Sequence, residues 1–223
     1  MTYTGNVSPG GPSDVRSLPD VVIRKASVSS MDNNVYLLTC RATGEQLLVD
    51  AADDAPRLLA LVAEGFADGG RGLGRVVTTH GHWDHHRALA RVIGSTGAAG
   101  SAGRADAPDL PVAPDQLLDH GDVVGVGALT LDVLHLRGHT PGSVALVLRS
   151  QDGSTHLFPG DSLFPGGHGR TTTPQAHHQL MDDLESRVFG PLPDETWVYP
   201  GHGRDTTLGT ERPSLAQWRE RGW

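Results

Sequence analysis

The sequence predicts an α/β domain in which two β-sheets pack together with helices on their outer faces. Three observations lead there. Short runs of β-branched and aliphatic residues alternate with helix-length stretches, the elements recur in similar order in the two halves, and no linker divides those halves. With 223 residues, 37% of them hydrophobic, the chain can bury a substantial core without disulfides.

Taken in order, residues 1–20 are rich in Gly, Pro and Ser and lack the apolar centre of a secretory signal. A mobile tail is expected there, followed by a single domain over 21–223. Residues 21–28 and 35–39 are β-rich, and 46–50 make a short apolar strand ending in Asp50. Asp53 or Asp54 can cap a helix running from Arg57 to Gly65. Residues 69–74 read as loop and 75–79 as a strand that delivers His80 to its end, where α/β folds collect ligands. A helix is expected to begin near Asp84 and carry residues 88–93. Residues 94–114, rich in Gly, Ala and Asp, read as loop with at most one short strand. Strands follow at 129–136, 144–148 and 155–158, then a helix over 175–188 and a last strand at 197–199.

Composition narrows the function. A formal net charge of -8 argues against a general nucleic-acid surface, which needs clustered Lys and Arg. Lys25 is the only lysine. No apolar stretch is long enough to cross a bilayer, so a cytoplasmic protein without membrane partners is expected. The single cysteine, Cys40, rules out an intrachain disulfide and reads as a packed core thiol beside residues 35–39.

Twelve histidines are many for this length, and their clustering matters more than their number. His80, His82, Asp84 and His85 supply four candidate metal ligands within six residues, on a turn after a strand. A hydrolytic two-metal site needs imidazole and carboxylate donors, an open position for water, and two ions about 3.5–4 Å apart. Three further candidates each end an apolar strand and enter a Gly-containing turn: His139, Asp161 and His202. Each alone could be an ordinary turn residue. Together the seven match the donor count such a site requires.

The order and spacing of these motifs resemble the metallo-β-lactamase fold superfamily, and within it the hydroxyacylglutathione hydrolase (type II glyoxalase) group and its short bacterial relatives. The matching motifs are Thr79, His80, His82, Asp84 and His85; His139 to Gly142; Gly160 to Phe164; Tyr199 to Gly203; and Thr206 to Pro213. The resemblance implies an αββα sandwich with the site at one edge of the two sheets. It assigns His80, His82 and His139 to a first metal, Asp84, His85 and His202 to a second, and Asp161 to a bridging position. Two divalent ions are expected, zinc first, although these donors suit iron and manganese as well.

The chemistry so implied is hydrolysis of a small-molecule thioester, with water ionised near neutral pH by the metals and Asp84 and Asp161 as the catalytic carboxylates. A thiolate leaves readily, since a free thiol has a pKa of about 8.5. Alternatives on the same scaffold are a mononuclear-iron sulfur dioxygenase, a lactonase or a β-lactamase; outside enzymes, a noncatalytic metal-binding protein would fit the ligands. His168 stands where related thioesterases more often carry cysteine, and with Arg170 it is a candidate substrate contact. His177 and His178 read as polar residues opening a helix, while His120, His135 and His156 read as ordinary loop or strand residues. The scarcity of lysine, together with a chain that ends soon after His202, argues against glutathione as the thiol. The sequence does not specify an oligomeric state.

Overall fold

The computed structural model describes residues 2–222. A seven-stranded sheet runs in strict sequence order: β1 (Asp14–Ser17), β2 (Val21–Val28), β3 (Asn33–Cys40), β4 (Glu45–Val49), β5 (Gly72–Thr78), β6 (Ala99–Gly103) and β7 (Gln116–Leu118). Its first four strands are antiparallel hairpins, and β4 to β7 pair in parallel. Parallel neighbours need crossovers, which helices α1 (Ala55–Glu64) and α2 (Leu89–Thr96) provide between β4 and β5 and between β5 and β6.

The second sheet has six strands. It contains β8 (Val123–Val126), β9 (Leu129–His135), β10 (Val144–Arg149) and β11 (Thr155–Gly160). A small hairpin of β12 (Leu163–Phe164) and β13 (Gly167–His168) follows, then α3 (Pro174–Leu184). Beside β11, in parallel, runs β14 (Trp197–Pro200), and β15 (Thr206–Thr207) completes the edge. Two short helices, α4 (Leu208–Glu211) and α5 (Leu215–Arg221), close the described chain.

Strand alternation builds the layers. On β2, β3 and β4 one set of side chains (Val21, Ile23, Tyr36, Leu38, Leu47, Val49) faces Leu131, Val133, Leu146, Phe158 and Tyr199 of the other sheet. The opposite set (Ala26, Val35, Leu37, Leu48) packs against Leu58, Leu61 and Val62 of α1 and Val92 of α2. On the far side Ala145, Val147, Leu157 and Val198 receive Leu180, Met181 and Leu184 of α3 and Trp218 of α5. The result is the four-layered αββα sandwich that the resemblance implied.

Asp54, not Asp53, caps α1, its carboxylate accepting from Arg57 N at 3.2 Å. Four expectations need correction. Within the expected tail, residues 2–20 are packed into the domain: Asp14–Ser17 is a paired strand, and the Gly5 carbonyl accepts from Lys25 Nζ at 2.9 Å. The reason is that sole lysine, which is fully buried and also binds Asp205 at 2.6 Å. A buried ammonium needs every proton bonded, and the N-terminal segment supplies one acceptor. Second, the loop expected over 69–74 ends early, because β5 already begins at Gly72. Third, no continuous helix starts at Asp84; Trp83–His85 is one 3-10 turn, and α2 starts at Leu89. Fourth, the helices α4 and α5 and the short strands β7, β8, β12, β13 and β15 lie outside the elements that the sequence pattern predicts. The single short strand allowed within 94–114 is β6. No helix among the described residues is long and apolar enough to cross a membrane.

Candidate metal centre

The seven predicted ligand residues come together at one end of the sandwich, where the two sheets are stitched by backbone bonds. Val144 N donates to the Thr79 carbonyl at 2.8 Å, and Asn34 N donates to the Gly201 carbonyl at 2.7 Å. His80, His82 and Asp84 follow β5, His139 lies in the turn between β9 and β10, Asp161 follows β11, and His202 follows β14. Three overlapping donor groups form: His80, His82 and His139; His80, His85 and Asp161; and Asp84, His85 and His202. Within each, the ligand atoms lie within 4.8 Å of one another. Asp161 reaches both ends of the cluster. Its Oδ1 lies 3.4 Å from His85 Nε2, and its Oδ2 lies 3.4 Å from His202 Nε2, 3.7 Å from His139 Nε2 and 4.0 Å from His80 Nε2.

Outer hydrogen bonds decide which ring nitrogen points inward. His202 Nδ1 donates to the Met31 carbonyl and His139 Nδ1 to the Arg170 carbonyl, each at 2.8 Å. His85 Nδ1 donates to Asp50 at 2.9 Å. Thr79 Oγ1 gives its proton to Asp50 at 2.9 Å, so His80 Nδ1, 3.1 Å away, donates to the threonine oxygen. In all four rings the Nδ1 proton is held outside and the Nε2 lone pair faces the cluster, which is how ligating histidines are oriented.

The residues present fit a pair of cations. His80 Nε2, His139 Nε2 and Asp161 Oδ1 are buried without any hydrogen-bond partner, a cost that native interiors rarely carry unexplained. His85 Nε2 and His202 Nε2 are 3.1 Å apart, with both opposite nitrogens committed outward. Two lone pairs at that distance need a positive charge between them. The protein's own charges express the same demand. Burial disfavours a charged His85, yet the neighbouring carboxylates of Asp161 and Asp50 outweigh it and raise its pKa to about 10. Burial works against the Asp161 carboxylate too, but His202 and His85 hold its pKa well below the usual range. His80, with burial dominant and His85 adding repulsion, is pushed well down and stays neutral.

Close approach depends on glycine at Gly201. A Cβ there would sit 2.1 Å from Asp161 Oδ1 and 2.8 Å from His85 Cε1.

Three supporting residues escaped the sequence reading. Asp50, 2% exposed, accepts from Thr79 N at 2.7 Å in addition to His85 and Thr79 Oγ1, so one carboxylate orients ligands of both ends. Asn33 Nδ2 donates to Asp84 Oδ2 at 2.9 Å. Asp106, 1% exposed, accepts from Gly81 N at 2.8 Å, Thr140 Oγ1 at 2.5 Å and Gly142 N at 2.6 Å. It thus clamps the turn bearing His80 and His82 to the turn bearing His139.

Of the candidate substrate contacts, Arg170 is exposed and lines a cavity of about 520 Å³ beside the cluster. His168 is half-buried on β13 and packs on the His177 ring at 4.8 Å. His177 is buried rather than a surface residue, and His178 is exposed. His86 is buried, its Nε2 donating to the Gly81 carbonyl at 3.2 Å. His120 is exposed, His135 binds the Pro141 carbonyl at 3.2 Å, and His156 is buried and saturated by Ser154 and Tyr199.

Comparison with known proteins finds the family that the motifs resemble. The sequence profile of the metallo-beta-lactamase superfamily matches residues 31–202. A hydroxyacylglutathione hydrolase from Jannaschia sp. (strain CCS1) is 36% identical over 173 residues, a match covering 77% of this chain and 62% of that protein. The chain therefore spans less than two thirds of that relative's length. The crystal structure of ETHE1 from Myxococcus xanthus superposes with a TM-score of 0.75 at 31% identity, covering 89% of this chain and 84% of that one. TTHA1623, solved in a di-iron-bound form, gives 0.66 at 30% identity over 83% and 95% of the two chains. The chain belongs to the metallo-beta-lactamase superfamily.

Proposed function

We propose that the protein is a metal-dependent hydrolase with a two-metal centre that cleaves thioesters of a small-molecule thiol. The observation that carries this reading is the convergence of four outward-anchored imidazoles on both oxygens of Asp161, with three of the inward atoms unpartnered. His80, His82 and His139 would hold one ion, Asp84, His85 and His202 the other, with Asp161 shared. A bound pair of divalent ions would supply a water ionised near pH 7 and an electrophile for the carbonyl oxygen.

The chain's own residues do the rest. Asp50 and the Met31 and Arg170 carbonyls fix the imidazoles before substrate arrives, so little reorganisation accompanies reaction. Asn33 holds the Asp84 Oδ2 that faces His85 and His202, which fixes this carboxylate in the cluster. His82 is exposed, which opens the cluster to solvent and substrate on that side. No side chain needs to protonate the leaving group, because a thiolate departs unaided near neutral pH. Zinc is the proposed metal, and the di-iron form of TTHA1623 makes iron the alternative. The cytoplasm, where small thiols stay reduced, is the proposed setting.

Elemental analysis of the isolated protein, paired with a thioester hydrolysis assay, tests the proposal. It predicts two ions per chain and turnover that chelation removes and added metal restores. A single iron with oxygen consumption would replace it with the dioxygenase reading. Bound metal without turnover of any thioester, lactone or β-lactam would mean a noncatalytic metal protein.

A further inference from the structure

The turn that carries His202 is held by its backbone carbonyls as well as by the bond to its ring. The Pro200 carbonyl accepts from Tyr36 Oη at 2.6 Å and Asn34 Nδ2 at 2.9 Å, and the Gly201 carbonyl accepts from Asn34 N at 2.7 Å. The Gly203 carbonyl takes two bonds, from Asn34 Nδ2 at 2.9 Å and Lys25 Nζ at 2.7 Å. Asn34 and Tyr36 lie on β3. Lys25, on β2, is the charged member of this set.

Lys25 directs its three protons to three segments: the Gly5 carbonyl at 2.9 Å, the Gly203 carbonyl, and the Asp205 carboxylate at 2.6 Å. The Asp205 side chain, 3% exposed, uses its other oxygen to accept from Tyr3 Oη at 2.7 Å and Trp197 Nε1 at 2.8 Å. Gly5 packs so closely that a Cβ there would sit 2.5 Å from Asp205 Oδ2, and its φ of 71° favours glycine. One buried ammonium thus fastens the N-terminal segment to residues 203–205.

A buried ion pair contributes little net stability, and apolar residues of similar volume often serve the fold as well. What this charge adds is direction, because its bonds place Gly203, the residue next to His202, against β2 and the N-terminal segment. The outward hydrogen bonds of His80, Asp84, His85 and His139 run elsewhere, to Thr79, Asn33, Asp50 and the Arg170 carbonyl. Disturbing Lys25 therefore acts on one ligand of the seven.

We propose that Lys25 is a positioning residue for the ion held by Asp84, His85 and His202, and that through it the N-terminal segment sets how tightly that second ion binds. This rests on the two-metal reading of the site.

Zinc titration of the full-length protein against a competing chelator, with native mass spectrometry counting the ions, reads both affinities and needs no turnover. Lys25→Met should weaken the second ion by about 10–100-fold, as loss of a ligand-orienting residue does, and leave the first within about threefold. Gly5→Ala, which drives a methyl group against Asp205, should weaken the second ion by about tenfold. Tyr3→Phe removes one bond to Asp205 and should cost about threefold. Arg24→Met, on the same strand, breaks the pair with Asp68 and is the control. It should lower the urea midpoint yet keep both ions, which separates positioning from general loosening of β2. Anomalous diffraction from Lys25→Met crystals should keep the peak at His80, His82 and His139 and lose height at the other. If Lys25→Met does not fold, Gly5→Ala and Tyr3→Phe carry the test. Equal weakening of both ions, or a second ion held as tightly as in the parent, would overturn the proposal and leave the two-metal reading standing. A parent protein that binds a single ion would remove both.

Discussion

Strand β11 carries a titratable residue near each end, and the two could hardly be treated more differently. At its start, His156 is saturated: Tyr199 Oη lies 3.0 Å from Nδ1 and Ser154 Oγ 2.8 Å from Nε2. Just past its finish, Asp161 keeps Oδ1 buried without a hydrogen-bond partner among four imidazoles. One sits in β11 and the other directly follows it, and both side chains are largely enclosed, so burial alone does not distinguish them. Saturation does. A histidine or carboxylate whose polar atoms are all bonded is part of the scaffold, while one anchored on its outer side and bare on its inner side is built to receive something.

Removing the bare end should have the largest effect. Asp161→Ala is expected to lower thioester turnover by more than about 10³-fold and to release metal, because one carboxylate faces both halves of the cluster. Normal metal content in that variant would break the comparison. At the saturated end the effect is on stability. Burial, followed by the charge of Arg16, pushes the His156 pKa from 6.5 to about 4. The unfolded chain takes up that proton at about 6.5, so this group costs nothing above that pH and lowers stability progressively as pH falls from 6.5 to 4. His156→Gln should flatten that part of the pH profile by about 3 kcal/mol in urea unfolding, with metal content unchanged.

Asp106 lies between the two cases, saturated itself but serving the bare ligands. Asp106→Ala should weaken metal binding by about 10–100-fold in chelator competition while the fold survives, and Asp106→Asn should do less. Smallest of all, His120→Ala on the surface should stay within about 0.5 kcal/mol of the parent and keep all its metal.

How much of this was readable from the sequence follows from separation along the chain. Four ligands fall within six residues, and His139, Asp161 and His202 each betray themselves by ending an apolar strand beside glycine. The β-branched runs of β2, β3, β9 and β10 marked the core strands with little ambiguity. Asp50 showed only as an acid closing a strand, since its partner His85 lies 35 residues later. Asp106 was hidden in a Gly/Ala-rich stretch, and its bonds reach Thr140 and Gly142, 34 and 36 residues away. The strand β1 sits in a composition that reads as disorder, and contacts distant in sequence fix it: pairing with β2 and the Arg16 bond to Tyr199 Oη. The short helix α5 depends likewise on Trp218 finding the α3 face. Local pattern locates the ligands; the residues that aim them are specified by contacts no local pattern contains.

The most direct test of the account is anomalous diffraction from crystals of the metal-loaded protein. It predicts two peaks, one touching His80, His82 and His139 and the other Asp84, His85 and His202, with Asp161 contacting both. A single peak, or density anywhere that leaves Asp161 uncoordinated, would contradict the two-metal centre on which the proposed chemistry stands.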